Sequence, residues 1–187
     1  MFANLALKYP MRTVLFSIIL AAPIFLNSFC VASKKPMNFS WLIDGKICGM
    51  ARPKKAAHLK WLEKNNVGLV VTLTGKGNLP KSLFKDTKLE KLFIPIKDFG
   101  VPTYEQVDLF IDRVSKILLT GKAVAVHCAA GIGRTGTMLA CWLVSKENMK
   151  PVAAIKLVRK KRPGSIETQE QEKFVESYYE YLKSKLC

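Results

Sequence analysis

Histidine is nearly absent, with two in 187 residues, and the five cysteines, at positions 30, 48, 128, 141 and 187, form no Cys-x-x-Cys pair. Structural zinc and a disulfide framework both need closely spaced or paired ligands, so neither is expected. An odd set of scattered thiols suits a reducing compartment, in which one of them can stay a nucleophile. No metal and no other cofactor is expected. Acidic side chains are also scarce: 14 Asp and Glu stand against 30 Lys and Arg, a formal charge of +16. That imbalance favours anionic partners such as phosphoesters, acidic proteins, lipid headgroups or nucleic acid, and does not choose among them. Internal repeats and low-complexity tracts are missing too, which leaves one ordinary domain as the working assumption for a chain of this length.

Charge is wholly missing from Thr13 to Ala32, a run of 20 residues flanked by Lys8 and Arg12 on one side and Lys34 and Lys35 on the other. That is long enough to cross a bilayer. Three readings stay open: a signal anchor, a cleavable signal peptide ending at the small Ala32, and an extension upstream of a start at Met37. Residues 1–36 are therefore set apart as an N-terminal extension, and residues 37–187 as the domain. All 14 acidic residues and 26 of the basic ones fall in the domain, so it carries +12 by itself. A cytoplasmic or nuclear monomer is expected, with membrane attachment only through residues 13–32, which would keep the domain on the cytoplasmic side.

Within the domain, apolar runs rich in β-branched residues at Val67 to Thr74, Leu89 to Ile96 and Ala123 to Cys128 alternate with stretches of helical spacing. Helices are expected over Lys55 to Asn65, Tyr104 to Thr120, Thr135 to Glu147, Pro151 to Lys161 and Gln169 to Lys185. Thr103 with Gln106, and Thr168 with Gln171, have the spacing of capping boxes; Pro151 suits a first helical position and Gly121 a stop. Such alternation predicts an α/β fold, a central, mostly parallel twisted sheet with helices on both faces. Ile43 to Met50 is expected to add an edge strand.

The stretch Val126-His127-Cys128-Ala129-Ala130-Gly131-Ile132-Gly133-Arg134-Thr135-Gly136 lies between an apolar strand and a helix. In an open α/β sheet ligands bind beyond the carboxyl ends of strands, where the next helix offers unpaired N–H groups and its positive end, so a phosphate fits there. Gly131 and Gly133 let the loop curl into a nest of N–H groups, with Ala129, Ala130 and Ile132 completing its wall. Cys128, facing that positive end and Arg134, is favoured as a thiolate. The planar fork of Arg134 can grip two phosphoryl oxygens, which a lysine's point charge cannot. His127 is expected to order the loop and help keep the thiolate charged, and Thr135 to donate its hydroxyl proton to the departing sulfur. Asp98, after the strand ending at Ile96, is the candidate acid for the leaving oxygen. Glu167 or Gln171, on the turn after Arg162-Pro163-Gly164-Ser165, is the candidate to position a hydrolytic water.

His127-Cys128-x-x-Gly131-x-x-Arg134-Thr135 resembles the signature of the protein tyrosine phosphatase superfamily. Asn38 to Trp41, the Asp98 loop, Thr135 to Cys141 and Arg162 to Thr168 resemble its atypical dual-specificity branch, so the likeness covers nearly all of Met37 to Lys185. The resemblance implies the phosphatase fold, no metal, Cys128 as nucleophile, phosphate binding by Ala129 to Arg134, Asp98 as general acid, and action on phosphotyrosine with some phosphoserine or phosphothreonine. Phosphorylated proteins are the expected partners. Superfamily members acting on phosphoinositides or RNA 5′-phosphates are the runner-up, set lower because Ala129, Ala130 and Ile132 offer no charge to further phosphates. A sulfur transferase of the rhodanese kind and a phosphate-binding pseudophosphatase remain the readings from other classes. The run Lys156, Arg159, Lys160, Lys161 and Arg162 is expected to be a solvated helix face, with no specific nucleic acid.

Overall fold

The computed structural model describes residues 35–75 and 77–185. The apolar segment 13–32 and the rest of the N-terminal extension before Lys35 lie outside them, as do Lys76, Leu186 and Cys187. Among the described residues, five strands, β1 (Ser40–Ile43), β2 (Ile47–Met50), β3 (Val67–Thr74), β4 (Glu90–Ile96) and β5 (Ala123–His127), form one sheet in the order β1-β2-β5-β3-β4. β1 and β2 are antiparallel, and every other pairing is parallel. Five α-helices are interspersed among the described residues: α1 (Ala56–Lys64), α2 (Tyr104–Leu119), α3 (Gly133–Lys146), α4 (Pro151–Lys161) and α5 (Gln169–Ser184).

The inner strands read as continuous apolar runs because both their faces are covered. On β3, Leu69, Val71 and Leu73 join the cluster packed with α2, α3, α4 and α5, while Val70 points to the opposite layer, which holds Leu59 and Leu62 of α1. The helices thus lie on both faces, four against one. β4 sits at an edge, where Pro95 removes a donor without breaking an inner ladder.

The expected segments correspond closely to the observed ones, with three differences. Ile43 to Met50 is not a single edge strand: Gly45, at φ +68°, turns the chain so that β1 takes the edge and β2 lies inside, against β5. α3 begins at Gly133, two residues before the expected Thr135. A short 3-10 turn, Lys81–Phe84, links β3 to β4 where no element was foreseen.

Because β2, β5, β3 and β4 run parallel, their carboxyl ends share one edge of the sheet. Met50 and Thr72 both pair with His127, and Thr74 pairs with Ile96. The residues just beyond those ends, Arg52, Gly75, Asp98 and Cys128, are thereby brought to one place.

Candidate active site

Four consecutive carbonyls of the loop after β5 are each held by a different part of the fold. Cys128 O accepts from His127 Nδ1 at 3.0 Å, Ala129 O from the Arg52 N–H at 2.9 Å, Ala130 O from Asn38 Nδ2 at 2.9 Å, and Gly131 O from Arg162 Nη2 at 2.6 Å. With the carbonyls tied outward, the N–H groups turn the other way, which is the arrangement of an anion nest. Gly131 N–H donates to Cys128 Sγ at 3.2 Å. No acceptor occurs among the described residues for the N–H groups of Ala129, Ala130 and Ile132. Gly131 is required here: its φ is +77°, and a Cβ would stand 2.2 Å from Met50 O.

Gly133 serves differently. Its N–H is taken by Glu167 Oε2 at 2.8 Å, and a Cβ would lie 2.3 Å from that oxygen. The carboxylate therefore caps the positive end of α3, and Gly133 N–H is withdrawn from the nest, contrary to the role expected for it.

His127 is fully buried at the end of β5. Its Nδ1 must carry the hydrogen, because Cys128 O can only accept; Nε2 then accepts from Thr72 Oγ1 at 2.9 Å. Burial pushes its pKa down to about 4, opposed by the bond to Cys128 O and reinforced by Arg52. The ring is neutral at physiological pH. It orders the loop as expected, but it lies outside the pocket and brings no charge to the sulfur, which corrects its placement among the substrate-binding residues.

Arg134, 5% exposed, donates to Ile96 O at 3.1 Å and forms an ion pair with Asp98. The two groups expected to act on opposite oxygens of a phosphoester are thus brought together across the strand ends. With Ala129, Arg52, Thr74, Gly75 and Lys97 they line a cavity of about 570 Å³.

Three further expectations need correction. The Thr135 hydroxyl is buried and bonds to nothing among the described residues, the sulfur included. Gln171, fully buried, spends its amide on backbone: Oε1 accepts the Glu167 N–H at 2.8 Å and Nε2 donates to Gly100 O at 3.2 Å. Glu167 Oε2 accepts the Gly133 N–H, and neither Glu167 nor Gln171 lines the cavity. Thr168 does cap α5 through the Gln171 N–H, but the reciprocal half of that box is missing because the Gln171 side chain is used elsewhere.

Arg162 is the residue sequence reasoning missed. Counted in a solvated basic run, it is 3% exposed and ties Gly131 O to Gly49 O at 2.7 Å and Asn38 O at 3.0 Å. Its sequence signal was position: it ends the run, next to Pro163-Gly164, where a helix must stop. Arg159 of the same run is also engaged, with Ser165 O, Ile166 O and Glu172. Burial pushes the Cys48 and Cys141 thiols up, so they stay protonated. Among the described residues there is no group of three or more His, Cys, Asp or Glu that could hold a metal ion.

A nucleophile-bearing loop between a strand and a helix, with an arginine six residues on and a carboxyl beyond the end of β4, two strands away, defines the cysteine-dependent phosphatase class. The family described as Swiss Army Knife protein, DSP-PTPase phosphatase domain matches residues 36–175, and the chain belongs to it. The chain is 35% identical over 120 residues to phosphatidylglycerophosphate phosphatase PTPMT2 of Arabidopsis thaliana, covering 63% of this chain and 53% of that protein. It is 29% identical over 163 residues to tyrosine-protein phosphatase cdc-14 of Caenorhabditis elegans, covering 80% of this chain and 22% of that one. The crystal structure of Tk-PTP in its active form superposes with a TM-score of 0.70 at 30% identity, covering 76% of this chain and 97% of Tk-PTP. The chain spans 64% or less of the length of the first curated relatives it matches.

Proposed function

We propose that the chain dephosphorylates proteins, with phosphotyrosine as the main target and phosphoserine and phosphothreonine as further ones. The observation that carries this reading is the loop Cys128 to Arg134 with its carbonyls tied outward, which leaves N–H groups to surround a phosphoryl group in line with the sulfur. The Caenorhabditis elegans relative, by its name a tyrosine-protein phosphatase, supports the protein substrates.

In the first step the Cys128 thiolate attacks phosphorus while the bond to the leaving oxygen breaks. Arg134 exchanges Asp98 and Ile96 O for two phosphoryl oxygens, a grip that tightens as charge spreads over them in the transition state. Asp98, released from the guanidinium, takes up a proton from solvent and gives it to the leaving oxygen. In the second step water attacks the phosphocysteine, Asp98 takes a proton from it, the sulfur–phosphorus bond breaks, and inorganic phosphate leaves with the thiolate restored. No cofactor enters either step. The domain acts as a monomer in the cytoplasm or nucleus, and at a membrane only where residues 13–32 are retained.

A second reading, a phosphatase of phospholipids or other polyphosphorylated small molecules, is favoured by Arg52 and Lys97. Both line the cavity, and neither is in an ion pair among the described residues. The Arabidopsis relative, by its name, acts on such a lipid.

The test is phosphate release by the full chain in the presence of chelator. Turnover of para-nitrophenyl phosphate is expected to vanish in Cys128→Ser, and turnover of phenyl phosphate, whose leaving group needs a proton, to fall by about a hundredfold or more in Asp98→Ala. A higher kcat/KM on phosphotyrosine peptide than on phosphatidylglycerophosphate supports the first reading; the reverse order moves the assignment to the second. A folded parent without turnover would leave a phosphate-binding module.

A further inference from the structure

A second cleft, of about 490 Å³, opens beside the same loop, with Lys35, Lys54, Lys55 and His58 in its walls and Met37 and Phe39 adding apolar surface. No carboxylate lines it, and none of the three lysines forms an ion pair among the described residues. Lys35 Nζ lies 5.1 Å from the centre of the Phe39 ring. His58 Nδ1 accepts the Lys54 N–H at 3.3 Å, and burial and the charge of Lys55 lower its pKa. The cationic character therefore belongs to the lysines.

The cleft and the catalytic cavity adjoin along one boundary. Asn38 lines the cleft and bonds to Ala130 O, next to Ala129 of the cavity; Arg52 of the cavity stands two residues before Lys54 of the cleft. Cys128 is only 3% exposed, so a phosphoryl group must reach it on a projecting side chain while the atoms that carry it stay at the rim. A polypeptide meets that requirement, with its phosphorylated residue in the cavity and its neighbours in the groove alongside. A flat bilayer surface does not follow a concave groove in this way.

Resting on the protein-phosphatase reading above, we infer that this cleft is a subsite for acidic residues flanking the phosphorylated residue of a polypeptide substrate. Three lysines without an ion pair among the described residues, in a cleft whose lining includes no carboxylate, attract Asp and Glu flanks and repel basic ones, an effect that weakens with salt.

The experiment compares the full chain on two phosphotyrosine peptides of equal length, flanked by Asp and Glu or by Asn and Gln, with para-nitrophenyl phosphate as a substrate that has no flanks. The acidic peptide is expected to have a kcat/KM about tenfold higher at low salt, as two or three surface ion pairs give together, and to lose that advantage as salt rises. The double variant Lys54→Glu, Lys55→Glu is expected to abolish or reverse the preference while keeping para-nitrophenyl phosphate turnover; Lys54→Gln, Lys55→Gln gives the same direction with a smaller effect. Binding of both peptides to Cys128→Ser repeats the comparison without turnover. Equal kinetics and equal binding for the two peptides overturn the subsite, as does a preference that survives both double variants. So does loss of binding to phosphatidylserine vesicles in the variants with peptide preference intact, since the cleft then faces lipid. A parent inactive on para-nitrophenyl phosphate whose Cys128→Ser form still prefers the acidic peptide counts against the phosphatase chemistry, not the subsite.

Discussion

Arg162 shows how much one side chain can decide. Its guanidinium is buried without a carboxylate and spends its donors on the carbonyls of Asn38, Gly49 and Gly131, so it joins β2, the entry to β1 and the phosphate loop. Burial lowers its pKa, while the nearby Cys48 and Cys128 sulfurs oppose that shift; an arginine remains charged regardless. Arg162→Met leaves buried carbonyls unpaired and is expected to cost about 3 kcal/mol in urea unfolding, with activity lost together with the loop geometry. His127 offers a prediction in pH. The unfolded chain takes up this proton near pH 6.5, and the native one only near pH 4. The unfolded state thus binds more protons in that window, so the contribution is complete above pH 6.5 and is lost as the pH falls through 4, about 3 kcal/mol in all. His127→Asn should remove this part of the acid sensitivity, read as the difference between the two stability-versus-pH curves.

At the scale of elements, the loop after β4 and the turn before α5 act as a pair. Each contains a non-glycine residue in the left-handed region, Phe99 at φ +56° and Ile166 at φ +63°, a conformation that costs energy and persists only where surrounding contacts impose it. For the β4 loop those contacts include the capping box of Thr103 and Gln106, Gln106 Nε2 on Pro95 O, and Gln171 Nε2 on Gly100 O. Gln171 is therefore a positioning residue for the Asp98 loop, held through backbone. Gln171→Ala should slow substrates that need an acid more than those that do not. A loss of about tenfold is expected on phenyl phosphate and about twofold on para-nitrophenyl phosphate, whose leaving group departs readily as an anion. Equal losses on both would reduce Gln171 to a packing role.

Over the whole molecule, positive charge and an anion-binding edge act in the same direction. The described domain has few carboxylates to screen its lysines, and the parallel strands and the amino end of α3 converge on the edge where those charges meet the loop. A ligand bound only by the native state stabilises it, by about 2.7 kcal/mol at a hundred times its dissociation constant. Orthovanadate at that excess should accordingly raise the melting temperature by about 5 to 10 °C. Arg134→Ala, which removes the side chain gripping the anion, should show little of the shift.

Much of this was decided along the chain. Continuous apolar runs at Val67 to Thr74 and Ala123 to His127, the cap at Thr103, the first-turn proline at Pro151 and the stop at Gly121 follow from local patterns, because strand and helix periodicity and terminal hydrogen bonding act over a few residues. So does the order Cys128, Gly131, Arg134, since a nest at a strand end needs those residues at that spacing. What the chain could not disclose lies at long separations. Residues 31 apart make Arg162 the clamp of Gly131, 92 apart make Asn38 the clamp of Ala130, and 71 apart join Gln171 to the Asp98 loop. The β1–β2 hairpin was missed although Asp44-Gly45 is a hairpin-turn pair, because the two runs it joins are only four residues long, and only pairing with β5 makes the second an inner strand. Local chemistry determined which groups could hold a phosphoryl anion; the tertiary structure decided which distant donors turn the loop's carbonyls away from it, because a backbone group buried without water takes whichever partner the packing brings near.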